Sequence, residues 1–448
     1  MTYADLLITN AKIVSDNQQI SGAVAIVAGK ITDIIPLGQA LPSAKKTIDA
    51  HDNYLIPGVI DDQVHFREPG LTHKADIYSE SRAAIAGGIT SYMEMPNTNP
   101  QTITIKDIEA KHKIAEKNSF ANYSFYIGAT NNNINELLQA DPSIVCGIKI
   151  FMGSSTGNML VNEETVLSDI FSKSKLLIAT HCEDDPTIIN NLRYYQEKFG
   201  DNIPIKYHPL IRSSEACMKS SGLAVKLAKK YNSRLHVLHI STERELELFH
   251  NDEKRTNKQI TAEVCVHHLF FNDQDYNQKG TLIKWNPAIK TRKDRNALIS
   301  AMVDGRIDVI ATDHAPHTFE EKNNDYMHAP SGGPLVQHSL PVVMKIASEN
   351  NLSIELVVDK MCHAPADLFN IDRRGYIRKG YWADMVIINT DQAWKVGKSN
   401  ILYKCGWSPF EGMTLNTAVT HTIVNGNLVY ENGIFSEEFR GNALKFNR

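Results

Sequence analysis

The chain has 448 residues, 47 Lys plus Arg against 51 Asp plus Glu, a formal charge of −4 and 42% hydrophobic residues. That apolar share and small net charge exclude a disordered chain, and no basic block concentrates charge for a nucleic-acid groove. No run approaches the roughly 20 apolar residues of a membrane helix. The N-terminus MTYADLLITN has no basic stretch leading into an apolar one, and the six cysteines (Cys146, Cys182, Cys217, Cys265, Cys362 and Cys405) are scattered with no CxxC pair. These features predict a cytoplasmic protein with reduced thiols, Cys182 and Cys265 among its core residues.

In chain order, residues 1–56 are β-rich. DLLITNAKIV and GAVAIVAGKITDIIP are β-branched runs broken by Gly and Asn. The stretch 57–379 alternates short apolar runs with amphipathic, charged segments. The runs are 59–66, 90–97, 122–129, 146–153, 176–183, 235–242, 260–268 and 308–315; the segments include KADIYSESRAAIAGG, TIKDIEAKHKIAEKN, SSGLAVKLAKKYN and TRKDRNALISAMVDG. Strands alternating with helices imply parallel βαβ units, and eight of them predict a closed (β/α)8 barrel. A doubly wound open sheet is the competitor, but no glycine-rich dinucleotide turn follows the first strand. From 380 to 448 the β texture returns in ADMVIINT, HTIVNGNLVY and NGIFSEE, with an Asn-Gly hairpin turn at Val424-Asn425-Gly426-Asn427. The two ends, 1–56 plus 380–448, are expected to build one small β-sandwich domain.

The predicted strands end in polar residues. The first ends in Gln63, His65 and Arg67, the second in Asn97; the fourth carries Lys149; the fifth, sixth and eighth end in His181, His239 and Asp313, with His317 a turn later. In a βα barrel such positions share one mouth, where the active sites of this architecture lie. A single histidine at a strand end is commonly just a hydrogen-bonded residue. Three histidines and an aspartate on different strands, converging on one mouth, are the ligand types of a zinc site. His236, three residues before His239, is expected on the opposite strand face, so that only one of the two reaches the mouth. His314 is expected to point away.

These residues resemble the amidohydrolase superfamily in its dihydroorotase branch. The resemblance begins at Pro57-Gly58-Val59-Ile60-Asp61, the QVH triplet and Arg67-Glu68-Pro69-Gly70. It runs on through Met95-Pro96-Asn97-Thr98, Gly147-Ile148-Lys149-Ile150-Phe151-Met152 and His239-Ile240-Ser241-Thr242. It continues with Asn286-Pro287 and Thr312-Asp313-His314-Ala315-Pro316-His317, and closes with Gly380-Tyr381-Trp382-Ala383-Asp384. It implies hydrolysis of the cyclic amide of dihydroorotate, reversibly, in pyrimidine synthesis, by two zinc ions per chain. Lys149, carboxylated, would bridge them. His65, Lys149 and Asp313 would hold one ion and Lys149, His181 and His239 the other, with Asp313 also the catalytic base.

The family writes HxH where this chain has Gln63-Val64-His65. A Gln carbonyl is a weaker zinc ligand than imidazole, so whether Gln63 binds metal stays open. The resemblance also assigns Arg67, Asn97 and Asn286 to a substrate carboxylate and His317 to the ring or its carboxylate. A planar Arg fork suits a carboxylate, which neither allantoin nor the hydantoinase substrates demand. Ser331-Gly332-Gly333-Pro334 is expected to belong to a mobile loop. Hydantoinase, allantoinase and a metal-free scaffold subunit for an enzyme such as aspartate transcarbamoylase are the alternatives. The expected partners are a small-molecule substrate and copies of the same chain in a homo-oligomer such as a dimer, with neither nucleic acid nor membrane.

Overall fold

The computed structural model describes residues 3–153, 159–161 and 163–448. The central body is an eight-stranded parallel sheet whose strands neighbour one another in chain order. They are Val59–Val64, Ile89–Glu94, Asn122–Gly128, Val145–Phe151, Ile178–His181, Leu235–Val237, Ile260–Cys265 and Val309–Ala311. A parallel bridge joins Val64 to His314, and the His65 N–H donates to the His314 carbonyl at 2.7 Å, closing the barrel. Each strand overlaps the run expected for it, starting at most one residue early (Ile89 and Val145). Both faces of such strands are covered, which is why they read as continuous apolar runs rather than as alternation.

Outward-facing Ile148, Ile150, Val264 and Ile310 pack in one large cluster with helix residues such as Leu167 and Leu298. Met93, Tyr126, Leu177, Leu238 and Val309 fill the interior together with Phe369, Leu444 and Phe446. The helices start where side chains can satisfy their first N–H groups. Asp76, Thr104 and Thr291 each form a reciprocal capping pair with the residue three positions on, opening Ile77–Ala86, Ile105–Asn118 and Arg292–Asp304.

The two chain ends form a separate nine-stranded sheet. Its strand order is Ile434–Phe435, Asn427–Glu431, Ala418–Val424, Met385–Asn389, Tyr54–Pro57, Ala4–Ser15, Gln18–Val27 and Lys30–Pro36, with Ala44–Asp49 also pairing Ala4–Ser15. Leu6, Ile8, Val24 and Ile26 bury one face of it with Met385, Ile387 and Ile423, while Leu7, Ala23 and Ala25 bury the other. The Asn-Gly hairpin forms as its residue types require: Val424 pairs with Asn427, and Asn425 and Gly426 take φ of 50° and 77°.

The chain beyond 380 divides its contacts. The strands at 385–389 and 418–435 lie in the sheet, whereas Leu444 and Phe446 enter the barrel interior from the end opposite the mouth. Trp407 and Tyr403 reach the mouth side, donating to the His317 carbonyl at 2.8 Å and approaching His338 at 2.9 Å. No helix of the described residues is long and apolar enough to cross a membrane.

Candidate active site

At the strand ends opposite the Leu444–Phe446 plug lies a cavity of about 740 Å³. Gln63, His65, Arg67, Asn97, Lys149, His181, His239, Asn286, Asp313 and His317 all line it, so the structure gathers every predicted site residue at one mouth. The backbone leaves regular strand geometry there. Arg67, His239 and Asp313 adopt φ of 68°, 41° and 48°; for side-chain-bearing residues the left-handed region costs about 1–3 kcal/mol and persists where the surroundings impose it. The turn at His239 also resolves the neighbouring histidines by depth. His236 is fully buried beneath the mouth, and only His239 lines the cavity. His314 points away, as expected, to Glu80 at 2.8 Å.

The hydrogen bonds decide which ring nitrogens carry protons. His65 Nδ1 lies 2.7 Å from Asn97 Oδ1, which only accepts, so the proton is on Nδ1. The Nε2 lone pair then faces Asp313 Oδ1 at 3.1 Å. Burial pushes His65 well below the usual imidazole range, so a second ring proton does not relieve this juxtaposition. His181 Nε2 donates to Glu183 Oε2 at 3.0 Å, leaving its Nδ1 lone pair 3.0 Å from His239 Nε2. His239 Nδ1 is buried with no partner among the described residues. Whichever tautomer His239 takes, one buried lone pair is left without a protein donor. Lone pairs aimed at one another from imidazole and carboxylate are the donor set of a divalent cation such as zinc. These residues fit a metal centre.

Lys149 is 1% exposed and its Nζ makes no hydrogen bond to a described residue; its ammonium lies over the Phe151 ring at 4.8 Å. Burial pushes it down to about 8 against the pull of Asp313 and Glu263, so a neutral amine is accessible near neutral pH. Burial likewise raises Asp313 to about 7, opposed by Lys149, His181 and Arg67.

Arg67 is buried, its Nε donating to the Pro316 carbonyl at 3.0 Å and its Nη2 lying 3.1 Å from His317 Nε2. Nη1 has no hydrogen-bond partner among the described residues. His317 also meets Lys74 Nζ at 3.0 Å and the Ser331 carbonyl at 3.1 Å. Burial and the adjoining Arg67 hold it down to about 3, so it is neutral. Asn286 Oδ1 accepts from Ser331 Oγ at 2.9 Å.

Several expectations change. Asn97 Oδ1 accepts from His65, which turns its amide nitrogen to the side that can donate to a substrate carboxylate. Gln63 turns Nε2, not its oxygen, to Asp313 at 3.2 Å. The Ser331–Pro334 segment is hydrogen-bonded to its neighbours in this conformation. The Gly332 N–H donates to the Lys284 carbonyl at 2.9 Å, and the Gly333 carbonyl accepts from Ala315 N–H at 3.0 Å. Gly332 has φ 122°, and a Cβ on it would sit 2.6 Å from the Ala315 carbonyl oxygen, so close approach explains this glycine.

Beneath the mouth lie residues that the motif reading missed. Glu183 is held by both His181 and Arg212. Burial alone would raise it, but Arg212 and His181 outweigh that and hold it at about 2. Its place two residues after His181, just past the strand end, was the available signal. Glu263 Oε1 accepts from the His239 N–H at 2.9 Å. His236 Nε2 lies 3.1 Å from Asp62 and 3.7 Å from Glu263. Burial alone would lower His236, but those carboxylates raise it to about 9. Lys74 and Trp407 carried no sequence signal, because they come from a loop and a distant segment.

Residues 54–429 match the amidohydrolase family. A dihydroorotase of Methanosphaera stadtmanae is 32% identical over 95% of this chain and 96% of its own length. An allantoinase of Streptomyces avermitilis is 28% identical over 98% of each. An L-hydantoinase structure from Arthrobacter aurescens superposes with a TM-score of 0.91 at 26% identity, covering 96% of this chain and 97% of that one. With its closed barrel, its terminal sheet and this mouth, the chain belongs to the amidohydrolase family, among its cyclic-amide hydrolases.

Proposed function

We propose that the protein is a dihydroorotase, opening the ring of (S)-dihydroorotate to N-carbamoyl-L-aspartate and closing it again. Arg67 carries this reading. It is a buried guanidinium at the mouth, anchored through Nε and Nη2 and with Nη1 uncommitted, and it suits a ring bearing a carboxylate. The relatives named dihydroorotase support it.

Zinc would be held by His65, Lys149 and Asp313 and by Lys149, His181 and His239, with Lys149 as a carbamate; bound, it supplies an activated water and a polarised carbonyl. Arg67 binds the substrate carboxylate, and the Asn97 and Asn286 amide nitrogens extend the same pocket. Neutral His317 buttresses Arg67 and presents an uncharged edge to the ring. Asp313, held near neutrality by burial, takes the proton of the attacking water at its carboxylate and hands it to the departing ring nitrogen. Ring closure runs the same transfers backwards.

The likeness to the L-hydantoinase favours an uncharged cyclic amide as the second reading. Rates of ring opening for dihydroorotate, dihydrouracil, hydantoin and allantoin, measured on zinc-reloaded protein, separate the two. Dihydroorotate is expected to have the highest kcat/KM; an uncharged ring opened faster would install the second reading.

A further inference from the structure

We infer that Gln63 is a positioning residue that donates a hydrogen bond to Asp313, and not a metal ligand; the inference rests on the metal-dependent reading above. An amide binds a cation only through its oxygen. The Gln63 oxygen accepts from the Cys265 thiol at 3.8 Å, and the amide nitrogen lies 3.2 Å from Asp313 Oδ1. Reversing the amide would set its oxygen against a carboxylate oxygen, which has no proton to offer it. Gln63 is 1% exposed, and its backbone is held by the N–H, which donates to Asp61 at 3.3 Å.

Asp61 also takes the Thr312 hydroxyl at 2.6 Å. Thr312, next to Asp313, and Asp61, two residues before Gln63, are therefore bound to each other. Gln63 and His65 both crowd onto Asp313 Oδ1, and Oδ2 has no hydrogen-bond partner among the described residues. The arrangement fixes which oxygen of Asp313 is offered to the reaction. An imidazole at position 63 would bring a ligand; the glutamine brings an N–H donor that aims one.

The test uses full-length wild type, Gln63→Met (similar in volume, no donor) and Gln63→Glu (same shape, oxygens only), each stripped by chelator and reloaded with zinc. Zinc per chain and ring-opening kinetics with dihydroorotate are measured. Gln63→Met is expected to keep the wild-type zinc content while kcat falls about 10- to 100-fold, the range for a lost hydrogen bond to a charged group, with KM little changed. Gln63→Glu should lose at least as much kcat and also keep its zinc. Loss of one zinc in Gln63→Met, or wild-type kcat in Gln63→Glu, would show an oxygen ligand and overturn the inference. If Gln63→Met does not fold, Gln63→Glu decides on the same two readings. Wild type that binds zinc but opens no cyclic amide refutes the proposed function alone, leaving the variants' zinc content to judge Gln63. Wild type that binds no zinc overturns both.

Discussion

Replacing Arg67 by Met tests the substrate assignment most directly. Arg67 is only 7% exposed, so its attraction for a bound carboxylate is weakly screened. At about 4 Å and an effective dielectric near 20, two unit charges attract by about 4 kcal/mol. A charge-assisted hydrogen bond measured by deletion is worth about 1.5–3 kcal/mol. A loss of about 2–4 kcal/mol is therefore expected, roughly 30- to 1,000-fold in kcat/KM for dihydroorotate. The variant also strips a donor from the Pro316 carbonyl and a neighbour from His317, damage that falls on every substrate alike. Dihydrouracil, the same ring without the carboxylate, measures that common part. The quantity that matters is the ratio of the two losses, read from initial rates followed by the ring's ultraviolet absorbance. Equal losses on both rings would mean that Arg67 only braces the loop at 316–317, and the case for an anionic substrate would collapse.

Asp313→Asn should fold with normal thermal melting and lose about 10²–10⁴-fold in kcat, the usual share of a proton-transferring group; turnover near wild type would refute its role. Lys149→Ala should lose bound zinc and activity, with partial recovery of both in short-chain carboxylic acids that can occupy the vacated place; unchanged zinc content in the variant would remove Lys149 from the metal centre. His236 is raised to about 9 by Asp62 and Glu263, so it contributes stability in full below its unfolded value near 6.5 and loses it as pH rises through 9. Urea unfolding should therefore show wild type more stable than His236→Gln at pH 7 and the gap closing by pH 10; a gap independent of pH would refute the ion pair.

Much of this architecture could be read from residue order because the physics acts locally. The barrel strands are covered on both faces, so they must be runs such as Ile148 to Phe151. The site residues were legible because a barrel brings its strand ends to one mouth, whatever separates them in the chain. The orientation of a side chain was not legible. Nothing in the triplet Gln63-Val64-His65 says which end of the amide meets Asp313; that follows from a carboxylate 250 positions away that can only accept. Glu263 under His239 depends on the depth at which neighbouring strands stack, which hydrophobic patterning does not encode. Likewise the tail at Leu444 and Phe446 falls in the stretch expected to belong to the terminal β domain, and only the unfilled floor of the barrel explains where it goes.

The terminal sheet has a consequence for how the chain is made. Tyr54–Pro57 lies between Ala4–Ser15 and Met385–Asn389, so Ile56 waits for Val386 before its outer edge is paired. A ribosome emits the first half of this sheet tens of seconds ahead of its complement, at about 5–20 residues per second. During that interval an apolar strand with an open edge is exposed to any neighbouring nascent chain. The barrel floor is also unsealed until Phe446 is released. Contacts this distant in sequence are slow to form, and neither body is finished before synthesis ends. Crowded overexpression therefore favours misassembly between copies, and slower translation or lower temperature favours the correct pairing.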